Sequence, residues 1–347
     1  MSIVECSRRC PRLISISVIP GGNPEAAELG GINTRRTIVG TYALMGLLCG
    51  VSAAIQTARL NSATTNLGVQ NELDVISAAV IGGTSFAGGI GTMIRPLLAR
   101  LYPGLVLSDK VKPANLLASE TFVAADLSNP DEVAAAVKGA HSVVHLGGFS
   151  VEGPWDTILQ ANIGGCYNMF EAARQAGVKR VIFASSNHAV GFYPRKKKIG
   201  TNVTVRPDSR YGVSKAFGEA LGAMYSDKHG MSVTCLRIGN VGPRPLDLRR
   251  LAIWISPEDI LQLIRIGLEH PDIRFEILYG ASDNATSWWD NSRARQLGYR
   301  PTGKSEDHRA HAEAEQAKID ADPIGDAFQG GAFCSAEFTN DVKRAGP

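Results

Sequence analysis

Short apolar runs that alternate with helical patterns are the feature that most limits the fold of this chain. Each run is rich in β-branched or small apolar residues, as in strands that are buried on both faces. The alternation predicts an α/β fold, a doubly wound parallel sheet with helices on both faces. The predicted strands are 78–82, 104–108, 122–125, 142–146, 180–184 and 233–238.

The run at 180–184 is followed by the segment that holds the candidate catalytic residues. It ends in the polar residues 185–188, and open α/β sheets place their ligands at that edge. Tyr211 and Lys215 are four residues apart at the start of a predicted helix, so both lie on one face. A lysine ammonium there favours the phenolate and lowers the tyrosine pKa from about 10, and Ser186 can hold a substrate oxygen. These groups suit proton removal from an alcohol. A half-buried helix with a snorkelling lysine is the alternative.

Ser186, Tyr211 and Lys215 resemble the catalytic triad of the extended short-chain dehydrogenases. Longer stretches narrow the resemblance to the uronate dehydrogenases, over about residues 88–338. They are FASSNHAVGFYP, RPDSRYGVSKAFGE, RIGN, LRRLAIW and WWDNS. The resemblance implies a Rossmann-type domain that uses NAD to oxidise galacturonate or glucuronate at the anomeric carbon, giving the aldarolactone. It also implies that Tyr211 is the base.

A glycine-rich segment between the first two predicted strands is the candidate dinucleotide site. Gly88 and Gly91 open an amphipathic helix, and such a turn lets backbone N–H groups meet a pyrophosphate. The family pattern Gly-x-x-Gly-x-x-Gly has a glycine where this chain has Ser85. If that position needs a left-handed backbone, serine costs about 1–2 kcal/mol. The expected cofactor contacts of this loop are Ser85, Gly88, Gly89, Ile90 and Gly91.

Acidic or glycine residues end the next predicted strands. Asp109, about twenty residues beyond the glycines, can accept the ribose hydroxyls and repel a 2′-phosphate, which favours NAD over NADP. A turn cap is the alternative role. Gly147 and Gly148 let the backbone approach the cofactor closely. The other expected contacts are Asp126 and Leu127, whose family counterparts approach the adenine, Leu146 before the glycine pair, and Asn162, expected to orient Lys215 through water.

An arginine pair is the candidate clamp for a substrate carboxylate, because a guanidinium binds a carboxylate in a bidentate manner. A solvated basic pair is the alternative, and the resemblance assigns the clamp to Arg249 rather than Arg250. It also implies the remaining substrate contacts. These are Ser150, Ser186, Asn187, His188 and Asn240, the last in a place where serine is expected.

The first ninety residues have a different character. The run 38–55 carries no charge and is close to the minimum for a membrane span, with a buried or surface-docked helix as the alternative. Three stretches over about 21–92 resemble part of a ribose-type sugar ABC-transporter permease. They are GGNPEAAELGGINTRRT, YALMGLLCGVSAAIQTARLNSATTNLG and NELDVISAAVIGGTSFAGGIGT. We therefore expect a fusion with its seam within 88–92. Because the enzyme needs cytosolic NAD, a cytoplasmic protein is favoured, with membrane contact through 38–55 left open.

Composition excludes several classes of function. The formal net charge of +3 is too small to indicate a nucleic-acid partner, and the basic run 195–198 is interpreted as a solvated loop. The six cysteines are scattered without Cys-x-x-Cys pairs, as in a reduced cytosolic protein. The histidines lack metal-binding spacing, so no metal is expected.

We expect residues 1–76 to be a helical or poorly ordered permease-like segment and 77–340 to be the NAD-binding domain, with its substrate part mainly at 239–300. The region 305–347 is expected to be a C-terminal tail. Its segment 328–333 resembles a family tail that packs on a neighbouring subunit, which implies a homo-oligomer. Two other functions stay open at this point. One is a nucleotide-sugar epimerase or dehydratase of the same fold, and the other is an inactive or membrane-tethered fusion fragment.

Overall fold

The structure is a computed structural model that describes residues 34–60, 90–102, 104–113 and 115–347. The chain divides into two units, Met1–Gly89 and Ile90–Pro347. The strand predicted at 78–82 lies outside the described residues. So do the loop residues Ser85, Gly88 and Gly89.

The described part of the first unit is a single helix, α1 (Thr34–Leu60). It contains the uncharged run 38–55, in which Gly40, Gly46 and Gly50 interrupt the apolar residues. Within the described parts of the chain, no helix combines the length and the apolarity that crossing a membrane requires. This includes α1, because glycine, threonine and serine lower its apolar content.

The second unit is an α/β assembly in which every described strand pair is parallel, as predicted. Its strands are β1 (Val106–Asp109), β2 (Thr121–Ala124), β3 (Ser142–His145), β4 (Arg180–Ser186), β5 (Ser232–Ile238), β6 (Asn240–Val241), β7 (Trp254–Ile255) and β8 (Phe275–Gly280). Its helices are α2 (Ile90–Leu101), α3 (Pro130–Val137), α4 (Trp155–Ile158), α5 (Gly165–Gln175), α6 (Arg210–His229), α7 (Leu248–Ile253), α8 (Pro257–Glu269), α9 (Ser292–Gln296), α10 (Arg309–Gln316), α11 (Pro323–Ala327) and α12 (Ala332–Ser335).

The central sheet has the order β3-β4-β5-β8, and β1 and β2 form a separate pair. In a doubly wound sheet the first strand lies between the second and the fourth. The described neighbours agree with such a sheet, because β1 lies beside β2 and the strands β3, β4 and β5 follow one another.

Apolar side chains cover both faces of the central sheet, because β4 and β5 are buried strands whose side chains alternate between the faces. One face packs against α2 and α8, and the other packs against α5 and α6. Ile94 and Leu98 of α2 are buried in the first cluster, which confirms the predicted amphipathic helix.

Polar caps set the helix starts that position the site. The Ser209 hydroxyl accepts a hydrogen bond from Gly212 N (3.0 Å), so α6 begins one residue before Tyr211. The helices α4 and α5 are joined by a π-helical segment, Leu159–Gly164. Such segments re-aim side chains inside helices, and this one carries Asn162.

Candidate active site

The carboxyl end of β4 and the first turn of α6 bring the three predicted catalytic side chains together. Ser186 ends the strand, and its side chain acts on Tyr211 by lowering the pKa of the phenol. Lys215 Nζ lies 5.4 Å from the centroid of the Tyr211 ring and donates to Ala184 O (2.8 Å). All three residues are buried. The fold thus brings together the three side chains that the sequence singled out for proton removal from an alcohol.

Burial dominates the electrostatics of this group. It raises the pKa of Tyr211 to about 12, with the Ser186 hydrogen bond acting to lower it and Asp208 acting to raise it. Burial also lowers the pKa of Lys215 to about 8. The expectation of a lowered Tyr211 pKa is therefore not met in the protein alone, because burial raises this pKa above its ordinary value.

The loop after β3 is shaped by Asn162. Gly148 has φ +120°, and a Cβ at this position would lie 2.8 Å from Asn162 Oδ1. Asn162 accepts from Phe149 N (2.7 Å) and donates to Phe149 O (2.9 Å) and Ser214 Oγ (3.0 Å). These hydrogen bonds fix the loop that carries the exposed Ser150, and the expected orientation of Lys215 through water stays a prediction.

Several of the residues expected to hold the dinucleotide have surroundings that suit such a ligand. Ile90 and Gly91 form the first turn of α2, so their backbone lies at a helix N-terminus. Asp109 ends β1 as an exposed carboxylate with no ion-pair partner in the described ranges. A Cβ on Gly147 would lie 3.2 Å from Leu127 Cδ1, so glycine allows close packing there.

Two other expected cofactor residues are engaged within the protein. Asp126 Oδ2 pairs with Lys110 Nζ at 2.7 Å, and Asp126 Oδ1 accepts from Ser128 N and Oγ. Burial alone would raise the pKa of Asp126, but together these bonds lower it by more. The pKa is therefore below its ordinary value. Leu146 packs against the apolar cluster under β4 and β5.

Arg249, on α7, lies beside the polar end of β4. Its Nη2 is 3.1 Å from the side-chain oxygen of Asn187, with the amide oriented to satisfy both neighbours, and its Nε donates to Gln329 O (3.0 Å). Burial, followed by repulsion from Arg250 and Arg195, lowers the pKa of Arg249 to about 10. No carboxylate of the described chain pairs with it, whereas Arg250 pairs with Asp247.

Asn240 supplies a second unmatched polar group. Its Oδ1 is buried and has no hydrogen-bond partner among the described residues. Buried amide oxygens are normally satisfied, so an orphaned one near a strand end is suited to a ligand donor. Asn240 starts β6, two residues after the end of β5.

The C-terminal tail packs on the site of its own chain. Phe333 stacks on the His188 ring with centroids 3.9 Å apart, and Gly330 N donates to Gly191 O (2.9 Å). Gly331 has φ +69°, and a Cβ there would lie 2.6 Å from Arg249 Nε. These contacts lie within one chain, and the homo-oligomer stays a prediction.

The basic run 195–198 is only partly a solvated loop. Lys196, Lys197 and Lys198 are exposed, as predicted. Arg195 is not, because its guanidinium donates to Phe328 O (3.1 Å) and Gly325 O (2.7 Å) and pairs with Asp326.

Two carboxylates of the site were missed by sequence reasoning. Asp208 Oδ2 lies 2.7 Å from His188 Nδ1, and Glu152 Oε2 accepts from Tyr211 N (2.9 Å). Asp208 stands in the quoted motif RPDSRYGVSKAFGE, but only the fold shows that it faces His188.

Residues 78–256 match the family model of the NAD dependent epimerase/dehydratase family. The uronate dehydrogenase of Pseudomonas putida is 43% identical over 255 residues, which cover 73% of this chain and 94% of that enzyme. The chain belongs to the uronate dehydrogenases.

Solved structures of uronate dehydrogenases share the fold. The glucuronic acid dehydrogenase of Chromohalobacter salexigens is 44% identical and has a TM-score of 0.69, covering 72% of this chain and 93% of that one. A variant of the uronate dehydrogenase of Agrobacterium tumefaciens, complexed with NAD, is 40% identical with a TM-score of 0.68, covering 74% and 95%. These matches confirm the predicted Rossmann-type fold.

The N-terminal region has separate relatives. Residues 17–116 match the branched-chain amino acid transport system permease component. The galactose/methyl galactoside import permease protein MglC of Haemophilus influenzae is 49% identical over 74 residues, which cover 21% of this chain and 22% of that permease. The two family matches overlap because one begins at residue 78 and the other ends at residue 116. This overlap includes the predicted seam at 88–92.

Proposed function

We propose that this uronate dehydrogenase oxidises galacturonate or glucuronate at the anomeric carbon with NAD, giving the aldarolactone. The guanidinium of Arg249, which forms no ion pair with a carboxylate of the described residues, carries the proposal, because a desolvated cation with cationic neighbours favours an anionic ligand. A uronate supplies a carboxylate at the end of its carbon chain that lies opposite to the anomeric carbon. The kinship with uronate dehydrogenases supports the same substrate class.

The catalytic group works on the anomeric hydroxyl. Ser186 holds the hydroxyl oxygen, Tyr211 as phenolate takes its proton, and the C–H bond breaks as the carbonyl of the lactone forms. NAD, when bound, accepts the hydride that leaves the anomeric carbon. The Lys215 ammonium stabilises the tyrosine oxygen as it gains negative charge and holds the nicotinamide ribose.

The remaining residues hold the two ligands in place. Gly147 and Gly148 let the loop backbone meet the cofactor, and Asp109 accepts the ribose hydroxyls, which excludes a 2′-phosphate. Ser150, Asn187, His188 and Asn240 bind ring hydroxyls of the sugar. Because the free cofactor pool is needed, we place the protein in the cytoplasm.

Initial rates of NADH formation test the proposal on the purified full-length chain. Galacturonate and glucuronate should be oxidised with NAD, with far lower rates for galactose and for NADP. A nucleotide-sugar epimerase would instead isomerise UDP-galacturonate without net NADH. Absence of NADH with both uronates, from protein that binds NAD, would overturn the proposal.

A further inference from the structure

His188 is held by one stacked ring, one edge contact and one ring nitrogen. It lies in the turn Asn187–Val190 directly after β4, stacked on Phe333 and with its edge towards Tyr211 (5.7 Å between centroids). Its Nδ1 lies 2.7 Å from Asp208 Oδ2. Its Nε2 has no hydrogen-bond partner in the described part of the chain. One nitrogen is therefore committed to the protein, and the other remains for a ligand.

Asp208 has few means of satisfying a buried charge. Its side chain has no exposed area. Oδ1 accepts from Ser209 Oγ (2.7 Å), and among the described residues Oδ2 has only the Cys334 thiol (3.9 Å) besides His188. No lysine or arginine of the described ranges forms an ion pair with it. Since a buried carboxylate is costly unless it accepts hydrogen bonds, an N–H donor at His188 Nδ1 would satisfy Asp208 Oδ2.

The packing around Asp208 leaves no freedom for the carboxylate. A Cβ on Gly191 or on Gly330 would collide with Oδ2, and a Cβ on Gly212 would lie 3.1 Å from Oδ1. The backbone N–H of Asp208 also donates to His188 O (3.3 Å). The two residues are thus fixed to each other through both main chain and side chain.

We propose that Asp208 is a positioning residue that keeps a proton on His188 Nδ1 and thereby fixes Nε2 towards a ring hydroxyl of the uronate. The inference rests on the proposed function and adds a residue to it. The hydrogen bond made by one ring nitrogen decides the state of the other. Asp208 itself touches neither the sugar nor the cofactor.

Asp208→Asn keeps the shape but offers an amide donor to Nδ1, which reverses the tautomer. The KM for galacturonate should rise about 10- to 100-fold, with a smaller change in kcat, because the hydrogen bond between Nε2 and the ring hydroxyl is lost. The Kd for NAD should stay within twofold of the wild type. A merely structural role would change both ligands alike.

A double-mutant cycle separates positioning from packing. If Asp208 acts through His188, then Asp208→Asn should have no further effect on KM in the His188→Ala background. Cys334→Ala is the matched control, since it removes the other tail contact of Oδ2 without touching His188, and it should leave KM within twofold. Additive losses in the cycle, or a Cys334→Ala variant with the same raised KM, would overturn the inference.

Nitrogen-15 NMR of the histidine rings tests the inference in the wild-type protein itself. The variant His188→Gln is needed only to assign the signals. The inference requires a protonated Nδ1 on His188. A bare Nδ1 with the proton on Nε2 would refute it. This readout remains valid if the wild-type protein does not oxidise uronates, so failure of the proposed function is distinguishable from failure of the inference.

Discussion

Replacing Arg249 with methionine should turn a uronate enzyme into one that barely distinguishes uronates from neutral sugars. The substitution keeps an unbranched apolar stem and removes the guanidinium that contacts Asn187 and Gln329 O. A hydrogen bond to a charged group contributes about 1.5–3 kcal/mol. A carboxylate bound by two such bonds should therefore lose about 3 kcal/mol, or about 150-fold in kcat/KM.

The loss should appear mainly in KM, because the carboxylate is bound in the ground state and the transition state alike. Initial rates of NADH formation with galacturonate and galactose measure it. Galactose lacks the carboxylate, so its kcat/KM should change less than threefold. Arg250→Met is the matched control, since that guanidinium is paired with Asp247. Equal losses for both sugars, or the same loss in the control, would refute the clamp.

Three further predictions concern the catalytic pair and the cofactor loop. Tyr211→Phe should lower kcat by about 10²- to 10⁴-fold while the NAD Kd, measured by fluorescence titration, stays unchanged; near-normal turnover would exclude Tyr211 as the base. Burial lowers the pKa of Lys215 from 10.5 to about 8, so the unfolded chain binds the proton more tightly and stability rises with pH between those values. Below pH 8 the buried charge of Lys215 lowers the free energy of unfolding by about 3 kcal/mol. Lys215→Met should therefore raise the melting temperature at pH 7 and abolish NADH formation. A lower melting temperature would contradict this. Gly148→Ala should weaken NAD binding at least tenfold, because the Cβ meets Asn162 Oδ1 in a left-handed backbone. Gly139→Ala, at φ +75° with open space around it, should cost stability alone.

Local patterns were enough to predict the parts of the site that lie close together in the chain. The apolar run before Ser186 and the four-residue spacing of Tyr211 and Lys215 are local signals, and the fold places them as expected. The cap at Ser209 fixes where α6 begins, and this phases the whole helix. The alternation of runs likewise predicted a parallel sheet, because parallel strands need helical crossovers.

Contacts between distant segments were not predictable from these patterns. Phe333 and His188 are far apart in the sequence and meet only in the fold. Arg195 was predicted to be solvated because its partners lie in the distant tail near Phe328. The pKa of Tyr211 was assigned the wrong direction for the same reason. Spacing reveals that Lys215 is near, but only packing reveals how strongly both groups are desolvated.

Isotope transfer tests the central claim most directly. The full-length protein is given NAD and galacturonate that carries deuterium at the anomeric carbon, and the reduced cofactor is analysed by mass spectrometry. Oxidation at that carbon predicts one deuterium in each molecule of reduced nicotinamide formed, together with the unlabelled aldarolactone. Unlabelled NADH would show that the hydride leaves another carbon and would contradict the proposed reaction.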